Sequence, residues 1–297
     1  YYVCPQYMLL RDGKSYCGIP EDMNICDSCV HTQFGYHKGF QESYRRYCRE
    51  LITAVDWIIC ASQAAVDIYR KVHDMPSDKI QVIPHGYTPP SDFKKTGSVD
   101  SAKIGFVGSI TAPFKGRNLV MELLSLNSRP HIEWHFFGSH SDVRPFLTEQ
   151  GVTPVGRLII HGRYERELLP SLLRQEEIGL VVLPYVQPET FSLALSEVWS
   201  AGVPVVAPDM CALGERVRQN GGGWLYPYGS DARSVLELLY RIVDDKDEYY
   251  EKVRECEKIQ VPTLLEYLGE YRALYKKIIR DSELENQKSK QGRSHPR

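Results

Sequence analysis

The feature that most restricts the fold of this chain is a regular alternation of apolar runs with helix-like segments after Ala102. The apolar runs have the length and composition of buried strands, and each precedes a segment with helical spacing. They lie at residues 104–107, 132–137, 158–161, 180–183 and 205–207. Strands that alternate with helices pair in parallel, and the helices cover both faces of the sheet. The sequence therefore predicts an α/β fold with a doubly wound, Rossmann-like sheet, which binds ligands at the carboxyl edge of its strands.

One connection in this region, residues 184–202, has the sequence PYVQPETFSLALSEVWSAG. It joins an apolar run to a helix that is expected to begin near Ser192, and its strand-to-helix turn consists of Thr190, Phe191, Ser192 and Leu193. The first backbone N–H groups of a helix lack partners inside it, and with the helix dipole they favour a phosphate. Glu189 precedes this turn and Glu197 lies inside the helix, where carboxylates accept hydrogen bonds from hydroxyls. Phosphate and hydroxyls together predict a nucleotide or a nucleotide-sugar.

This connection resembles the signature of the retaining glycosyltransferases of family four, which adopt the GT-B fold. The similarity covers Glu189, Glu197 and the run AGVPVVA at 201–207, and it continues through Gly214-Glu215, GGWL at 222–225 and PYG at 227–229. Two glutamates at this spacing also occur on solvated helix faces, but the flanking matches favour the family. The resemblance implies a GT-B arrangement, with a C-terminal donor-binding domain and the remaining part of an N-terminal α/β domain on the acceptor side.

The resemblance also places the loop after the first strand at the donor diphosphate. Family members carry an arginine after the glycine at Gly108 and a lysine six positions later. Lys115 occupies the lysine position, whereas Ser109 replaces the arginine. One charge-assisted hydrogen bond is worth roughly 1.5 to 3 kcal/mol, so we expect compensation from Arg117 or Thr111.

A further loop, residues 161–165, corresponds to the part of the family that holds the nucleotide base. Arg163 or Tyr164 is expected to stack on that base. Aromatic and arginine side chains also cap helices where no ligand binds, so residue type alone does not assign this role.

Four cysteines lie near the start of the chain, the last two as a CxxC motif: Cys4, Cys17, Cys26 and Cys29. Without a secretory signal, thiols in this number are more typical of zinc than of disulfides. Four protein ligands leave no open position, so the predicted metal is structural. An iron–sulfur cluster and a group of metal-free thiols are the alternatives. Some family-four enzymes of surface-polysaccharide pathways have a similar opening, with Cys-Pro, Gly-x-x-Tyr-Cys-Gly and CxxC elements.

Lys and Arg number 36 and Asp and Glu number 38, a net charge of −2 that gives no reason to expect nucleic acid as a partner. The sequence has neither a secretory signal nor an apolar run of membrane-spanning length. We therefore expect a cytoplasmic protein, and the resemblance is compatible with a peripheral position at the inner face of the membrane. Because the chain opens on Tyr1 without methionine, we expect an interior fragment, with the acceptor-contacting glycine-rich loop of the family upstream.

The predicted domains are an acceptor-side part with its hinge at 1–95, a donor-binding domain at 96–262, a helix crossing back at 263–280 and a disordered tail at 281–297. In the first part, Ser62 is expected to cap a helix over 63–72. The expected buried face of the crossing helix consists of Leu264, Leu268, Tyr271, Tyr275 and Ile278.

The resemblance implies a retaining transferase that moves a sugar from a UDP-, GDP- or other nucleoside-diphosphate sugar to a hydroxyl of a glycan or lipid-linked acceptor. Lys115 would stabilise the leaving diphosphate, Glu189 would hold sugar hydroxyls and Glu197 the ribose, without a catalytic metal. Two alternatives stay open: a catalytically inactive donor-binding subunit, which the Ser109 replacement favours, and a nucleotide-sugar epimerase of the same fold.

Overall fold

The computed structural model describes residues 2–11, 13–89 and 102–292, with side chains as far as residue 283. We refer to residues 2–89 as the N-terminal unit and to residues 102–262 as the sheet domain. A long helix follows the sheet domain. The domain boundary predicted between residues 95 and 96 lies outside the described residues.

The N-terminal unit contains short strands and three helices. In chain order they are β1 (Leu10–Arg11), β2 (Ser15–Tyr16), α1 (Met23–Phe34), α2 (Phe40–Ala54), β3 (Ile58–Cys60), α3 (Gln63–Arg70) and β4 (Ile80–Val82). β1 and β2 form an antiparallel hairpin, whereas β3 and β4 pair in parallel. The predicted cap of α3 is confirmed, because Ser62 Oγ accepts a hydrogen bond from the Ala65 amide at 3.1 Å.

The sheet domain has the predicted alternation of strands and helices. Its strands are β5 (Lys103–Val107), β6 (Glu133–Phe137), β7 (Arg157–Gly162), β8 (Leu180–Val182), β9 (Val205–Asp209) and β10 (Gly223–Pro227). Its helices are α4 (Arg117–Leu126), α5 (Arg144–Glu149), α6 (Leu169–Gln175), α7 (Leu193–Ser200), α8 (Cys211–Asn220), α9 (Ala232–Asp244) and α10 (Lys246–Lys258). β10 was not among the predicted strands, since Gly223 and Pro227 interrupt its apolar pattern.

The six strands are parallel and have the spatial order β10-β9-β8-β5-β6-β7. The chain adds strands on one side of β5 up to β7, and then returns to place β8 on its other side. Such a switch in direction opens a crevice beyond the carboxyl ends of the two strands concerned. The loops after β5 and β8 therefore border the crevice of this sheet.

Side chains from successive strand positions enter two separate cores, one on each face of the sheet. Phe106, Trp134 and Val182 pack with α4 and α9 on one face. Val107, Phe137 and Val181 pack with α6, α7 and α8 on the other. Both faces are covered by helices, as a doubly wound α/β fold requires, so the predicted fold class is confirmed.

The final helix, α11, extends over Leu264–Gly292. It is longer than the predicted 263–280, and it includes most of the segment that was expected to be disordered. Its Lys277 Nζ lies 4.4 Å from the ring centroid of Trp57, so the helix runs back to the N-terminal unit. No helix among the described residues combines the length and the apolar character that a bilayer span requires.

The predicted buried face of α11 was wrong for three of its five residues. Leu264, Leu268 and Tyr275 are 50%, 52% and 59% exposed, whereas Leu274 is the buried position at 3%. Helical spacing shows that apolar residues share a face, but it does not show that another surface covers that face.

Two connections between the units run side by side. The Tyr87 amide donates to Pro262 O at 2.8 Å, and the Leu264 amide donates to Thr88 Oγ1 at 3.0 Å. A Cβ atom at Gly86 would lie 2.5 Å from the Thr263 carbonyl oxygen, so only glycine permits this approach. The hinge residues around Gly86 therefore pack directly against the start of α11.

Candidate functional site

An ion pair spans the crevice between the loops after β5 and β8. Lys115 Nζ lies 2.5 Å from Glu189 Oε1, although the two residues are 74 positions apart in the chain. The loops also touch through their backbones, because a Cβ atom at Gly116 would lie 1.9 Å from the Pro184 carbonyl oxygen. The structure therefore brings together the two side chains that the sequence analysis named as catalytic.

The Lys115 ammonium is held in place by aromatic and polar neighbours. It lies 3.9 Å from the ring centroid of Tyr185, a cation–π contact. The Tyr185 hydroxyl donates to Val107 O at 3.1 Å, and Gln187 Nε2 donates to Glu189 Oε1 at 2.8 Å. The Lys115 and Glu189 side chains remain 21% and 14% exposed. The cation is thus positioned, partly desolvated and still open to a ligand.

The turn before α7 lies where the sequence predicted it. Ser192 precedes the helix with φ 67°, and its Oγ accepts a hydrogen bond from the Leu195 amide at 3.4 Å. A non-glycine residue rarely adopts a positive φ, so the surrounding structure must stabilise this conformation. The carbonyl groups of Phe191 and Ser192 both point to one side chain of α8.

That side chain is Arg216, which the sequence analysis missed. It donates to Phe191 O at 3.0 Å, to Ser192 O at 2.9 Å and to Ser196 Oγ at 2.8 Å. Its guanidinium also lies 3.9 Å from the Phe191 ring centroid. Burial lowers the pKa of Arg216 to about 9. The only available signal was its position directly after Gly214-Glu215, where the family resemblance was noted.

Glu197 has different neighbours from Glu189. Its carboxylate is 4% exposed, and Oε1 lies 2.7 Å from Arg166 Nε, on the loop after β7. Burial raises the pKa of Glu197 to about 7, and the nearby Arg166 opposes this effect. The Arg166 carbonyl accepts a hydrogen bond from the Tyr87 hydroxyl at 3.3 Å. The two glutamates therefore belong to two ion pairs, and Arg166 is a second residue that sequence reasoning missed.

The two residues predicted to stack on a base lie in different surroundings. Arg163 is exposed, whereas Tyr164 is partly buried against the apolar core beside α6 and α7. Burial raises the pKa of Tyr164, and the charge of Glu197 adds to this effect. Tyr164 is therefore near Glu197, while the Arg163 side chain faces outward.

The loop after β5 begins with Gly108, which contacts Gly138, the first residue after β6. Gly108 has φ 109°, and a Cβ atom at Gly138 would lie 2.2 Å from the Gly108 carbonyl oxygen. Ser109 accepts a hydrogen bond from the Ala112 amide through its backbone oxygen at 2.9 Å. The proposed substitutes for the missing arginine have partners of their own: Arg117 Nη1 donates to Thr111 O at 3.4 Å and its guanidinium lies over Phe146, while Thr111 Oγ1 donates to His140 O at 2.9 Å.

Comparison with solved structures shows the same fold. HepE from Anabaena, in complex with UDP and glucose, aligns with TM-score 0.62 and 18% identity over 80% of this chain and 68% of HepE. Sucrose-phosphate synthase from Thermosynechococcus elongatus aligns with TM-score 0.62 and 18% identity over 85% and 66% of the two chains. A mutant of S. aureus TarM, in complex with Fondaparinux, alpha-GlcNAc-glycerol and UDP, aligns with TM-score 0.58 and 18% identity over 78% and 46%.

Family comparison supplies the class of enzyme. Residues 101–245 match the family described as Glycosyl transferases group 1, and residues 28–89 match Glycosyltransferase Family 4. The chain is a GT-B glycosyltransferase. No match to the transferase was found among curated proteins.

Two groups of residues in the transferase have ligand types suited to a metal. His135, His161 and Glu176 offer ligand atoms within 4.8 Å of one another, but His135 Nδ1 and His161 Nε2 bond directly to each other at 3.0 Å. Burial lowers the pKa of both histidines. The second group is formed by the four predicted cysteines, which all line one small cavity in the N-terminal unit, although no three of their sulfur atoms lie within 4.8 Å of one another.

Proposed function

We propose that the transferase binds a nucleoside-diphosphate sugar in the crevice between the loops after β5 and β8, and transfers the sugar to an acceptor hydroxyl with retention of configuration. The observation that carries the proposal is the Lys115–Glu189 ion pair at the point where strand order reverses. A cation and an acid at one ligand crevice suit the two halves of such a donor, the diphosphate and the sugar hydroxyls.

Lys115 is the group that we assign to the leaving diphosphate. Negative charge grows on the departing phosphate oxygen as the glycosidic bond breaks, and a fixed ammonium stabilises that charge without reorganising. In the absence of a donor, Glu189 neutralises the ammonium at 2.5 Å. A bound diphosphate would pair with the Lys115 ammonium in place of Glu189. The Glu189 carboxylate would then accept hydrogen bonds from the sugar hydroxyls.

The start of α7 supplies a second source of positive charge. Ser192 Oγ satisfies the Leu195 amide, while the amides of Leu193 and Ala194 have no hydrogen-bond partner among the described residues. Unpaired amides and the helix dipole favour an anion at this position. With Lys115 they provide the charge stabilisation for which other enzymes use a divalent cation, so we propose no catalytic metal.

Glu197 is the group that we assign to the ribose. Arg166 holds its carboxylate, and Tyr164 lies near it, since the negative charge of Glu197 contributes to the raised pKa of Tyr164. Arg163, exposed at the same loop, remains available to stack on the base. The resemblance extends this proposal to a glycan or lipid-linked acceptor in surface-polysaccharide synthesis at the cytoplasmic face of a membrane.

Calorimetric titration with UDP tests the assignment of Lys115. UDP is the first probe, because HepE and TarM were both solved with it. Lys115→Met should weaken UDP binding about tenfold or more, since it removes a charge-assisted contact. The matched control is Lys103→Met, which removes the Lys103–Glu177 ion pair at the opposite end of β5 and should leave UDP affinity unchanged. Equal affinities in the two variants would exclude a donor diphosphate beside Lys115.

The roles of Glu189 and Glu197 are distinguished by comparing the binding of UDP with the binding of UDP-sugars. Glu189→Gln should retain UDP binding, because it frees Lys115, but should lose the additional affinity that the sugar contributes. Glu197→Ala should weaken UDP and UDP-sugar binding equally, by several-fold. A Glu189→Gln variant that lost UDP affinity itself would remove the assignment of Glu189 to the sugar.

Because Ser109 replaces an arginine, a second candidate function stays open, that of an inactive donor-binding subunit. Donor binding by the full-length protein without transfer or hydrolysis would identify it. Release of a free epimeric nucleotide-sugar would indicate the epimerase instead. If transfer occurs, NMR of the product determines the anomeric configuration, and an inverted product would contradict the retaining mechanism.

A further inference from the structure

The second group of chemically distinctive residues lies in the N-terminal unit, away from the donor crevice. Cys4, Cys17, Cys26 and Cys29 all line one cavity of about 30 Å³. They belong to three segments: the loop before β1, the residue after β2 and α1. The fold thus brings the four cysteines to one cavity, where a bound ion would draw their sulfur atoms closer together.

Two of the four sulfurs, those of Cys26 and Cys29, accept a hydrogen bond from a side-chain N–H group. Arg45 Nη2 donates to Cys26 Sγ at 3.4 Å, and Gln33 Nε2 donates to Cys29 Sγ at 3.0 Å. A neutral thiol is a weak acceptor, whereas N–H donors around a thiolate stabilise its negative charge.

Arg45 provides an independent indication that this cavity holds negative charge. Its side chain is buried, with the residue 7% exposed, and it donates to Val3 O at 3.2 Å and to Cys26 Sγ. In the described part of the chain no carboxylate lies within ion-pair distance of it. A buried guanidinium without an anion is costly, and four neutral thiols do not supply one.

We propose that Cys4, Cys17, Cys26 and Cys29 bind one zinc ion as a tetrahedral tetrathiolate. Four thiolates around a divalent cation leave a net charge of two negative units, which Arg45 partly neutralises. Each thiol gives up its proton as its zinc–sulfur bond forms, and no electron is transferred. Soft sulfur ligands select zinc, and four protein ligands leave no position for a substrate, so the ion is structural.

The proposed zinc ion would tie together a unit whose own apolar core is small. The buried apolar residues beside it are Val3, Leu9, Ile19 and Ile68. Next to Cys17, the Tyr16 amide donates to the Tyr228 hydroxyl of the sheet domain, and that hydroxyl donates to Val186 O at 3.3 Å. Val186 lies in the loop that leads to Glu189, so the metal would also support one wall of the donor crevice.

Elemental analysis of the full-length protein, purified without added metal or chelator, tests the proposal directly. We expect one equivalent of zinc per chain, and after exchange with cobalt(II) an absorption spectrum with thiolate charge-transfer bands and intense tetrahedral d–d bands. Metal-free protein with four titratable thiols, disulfides among these cysteines, or iron with visible absorption would each overturn it. None of these readouts depends on nucleotide-sugar binding, so the proposed function and the metal site can fail separately.

Variants locate the ion. Cys26→Ser and Cys29→Ser should lose the zinc, whereas Cys60→Ser, at a buried cysteine outside the cavity, should retain it. Arg45→Met keeps all four ligands and should weaken zinc affinity about 10- to 100-fold, as loss of a partner beside a metal ligand does. Arg46→Met, at the exposed neighbouring position, is its control. If the cysteine variants do not fold, zinc release from the unaltered protein on mercurial titration decides: release must accompany modification of four thiols, and any other stoichiometry contradicts the site.

Discussion

The N-terminal unit and the sheet domain both contain parallel strands and helices, but they are stabilised differently. The sheet domain has six strands with a large apolar core on each face. The N-terminal unit has two sheets of two strands each, and its two apolar clusters are small. Burial of apolar area is the main favourable term in folding, so its two large cores can stabilise the sheet domain. The N-terminal unit has to draw on other contacts.

Some of those contacts come from the sheet domain itself. Ser62 Oγ donates to Thr190 O at 2.7 Å while it caps α3. The Glu215 carboxylate accepts hydrogen bonds from the amides of Gln63 and Ala64, at the same helix end. Both units therefore supply hydrogen-bond acceptors to the first amides of α3. The comparison shows that the smaller unit is completed at its interface, next to the turn that precedes α7.

The largest expected effect tests the core of the sheet domain. Trp134 is fully buried and stacks on Phe106, with ring centroids 6.0 Å apart. Trp134→Ala should lower the free energy of unfolding by about 3 to 5 kcal/mol, as large-to-small core substitutions do. Denaturant titration measures this. Trp57→Ala in the N-terminal unit is the matched control and should cost less, because Trp57 is only partly buried; equal losses would contradict the contrast between the units.

The next effect depends on pH and concerns Glu197. Its pKa is raised from 4.5 to about 7 by burial, so the folded state binds more protons than the unfolded state between these values. The stability that protonation contributes is present below pH 4.5 and is lost as pH rises through about 7. Glu197→Gln removes this loss, which is on the order of 3 kcal/mol at most.

Thermal or denaturant unfolding at several pH values checks the Glu197 prediction. The variant should gain stability relative to the unaltered protein as pH rises from 4.5 to above 7. Parallel curves over this range would show that the carboxyl group titrates at its ordinary pKa. Glu122→Gln, at an exposed position of α4, is a control for a general charge effect.

A smaller effect tests the interface between the units. Ser62→Ala removes both the cap of α3 and the hydrogen bond to Thr190, and it should lower the free energy of unfolding by about 1 kcal/mol. Limited proteolysis of the N-terminal unit should accelerate in the same variant. Ser43→Ala, at an exposed position of α2, should change neither measurement. If the two variants behave alike, the cap does not couple the units.

The smallest effect concerns the apolar stripe of α11. Leu265 is 82% and Leu268 52% exposed, so replacing either by alanine should change stability by no more than about 0.5 kcal/mol. Leu274→Ala, at the buried position, should cost about 2 to 5 kcal/mol. A large loss for Leu268→Ala, measured on the same chain, would restore the predicted buried face.

Much of the fold was predictable because its signals are local. Alternating apolar runs predicted parallel strands with helices on both faces, and Ser62 and Ser192 marked helix starts that the structure confirms. β10 was missed, because glycine and proline at its ends hide a strand that only pairing with β9 stabilises. The five-residue face of α11 was predicted as buried for a different reason: periodicity carries no information about whether another surface covers that face.

The sequence by itself determined which residues stand at strand ends and helix starts, since spacing, caps and apolar runs act over a few positions. The tertiary structure alone decided which of them meet. Strand order placed Lys115 beside Glu189. Packing placed Arg166 beside Glu197, Arg216 beside the Ser192 turn and Arg45 beside the cysteine cavity. Three of these four cations escaped sequence reasoning, because the partner of a charged side chain depends on the path of the whole chain through space.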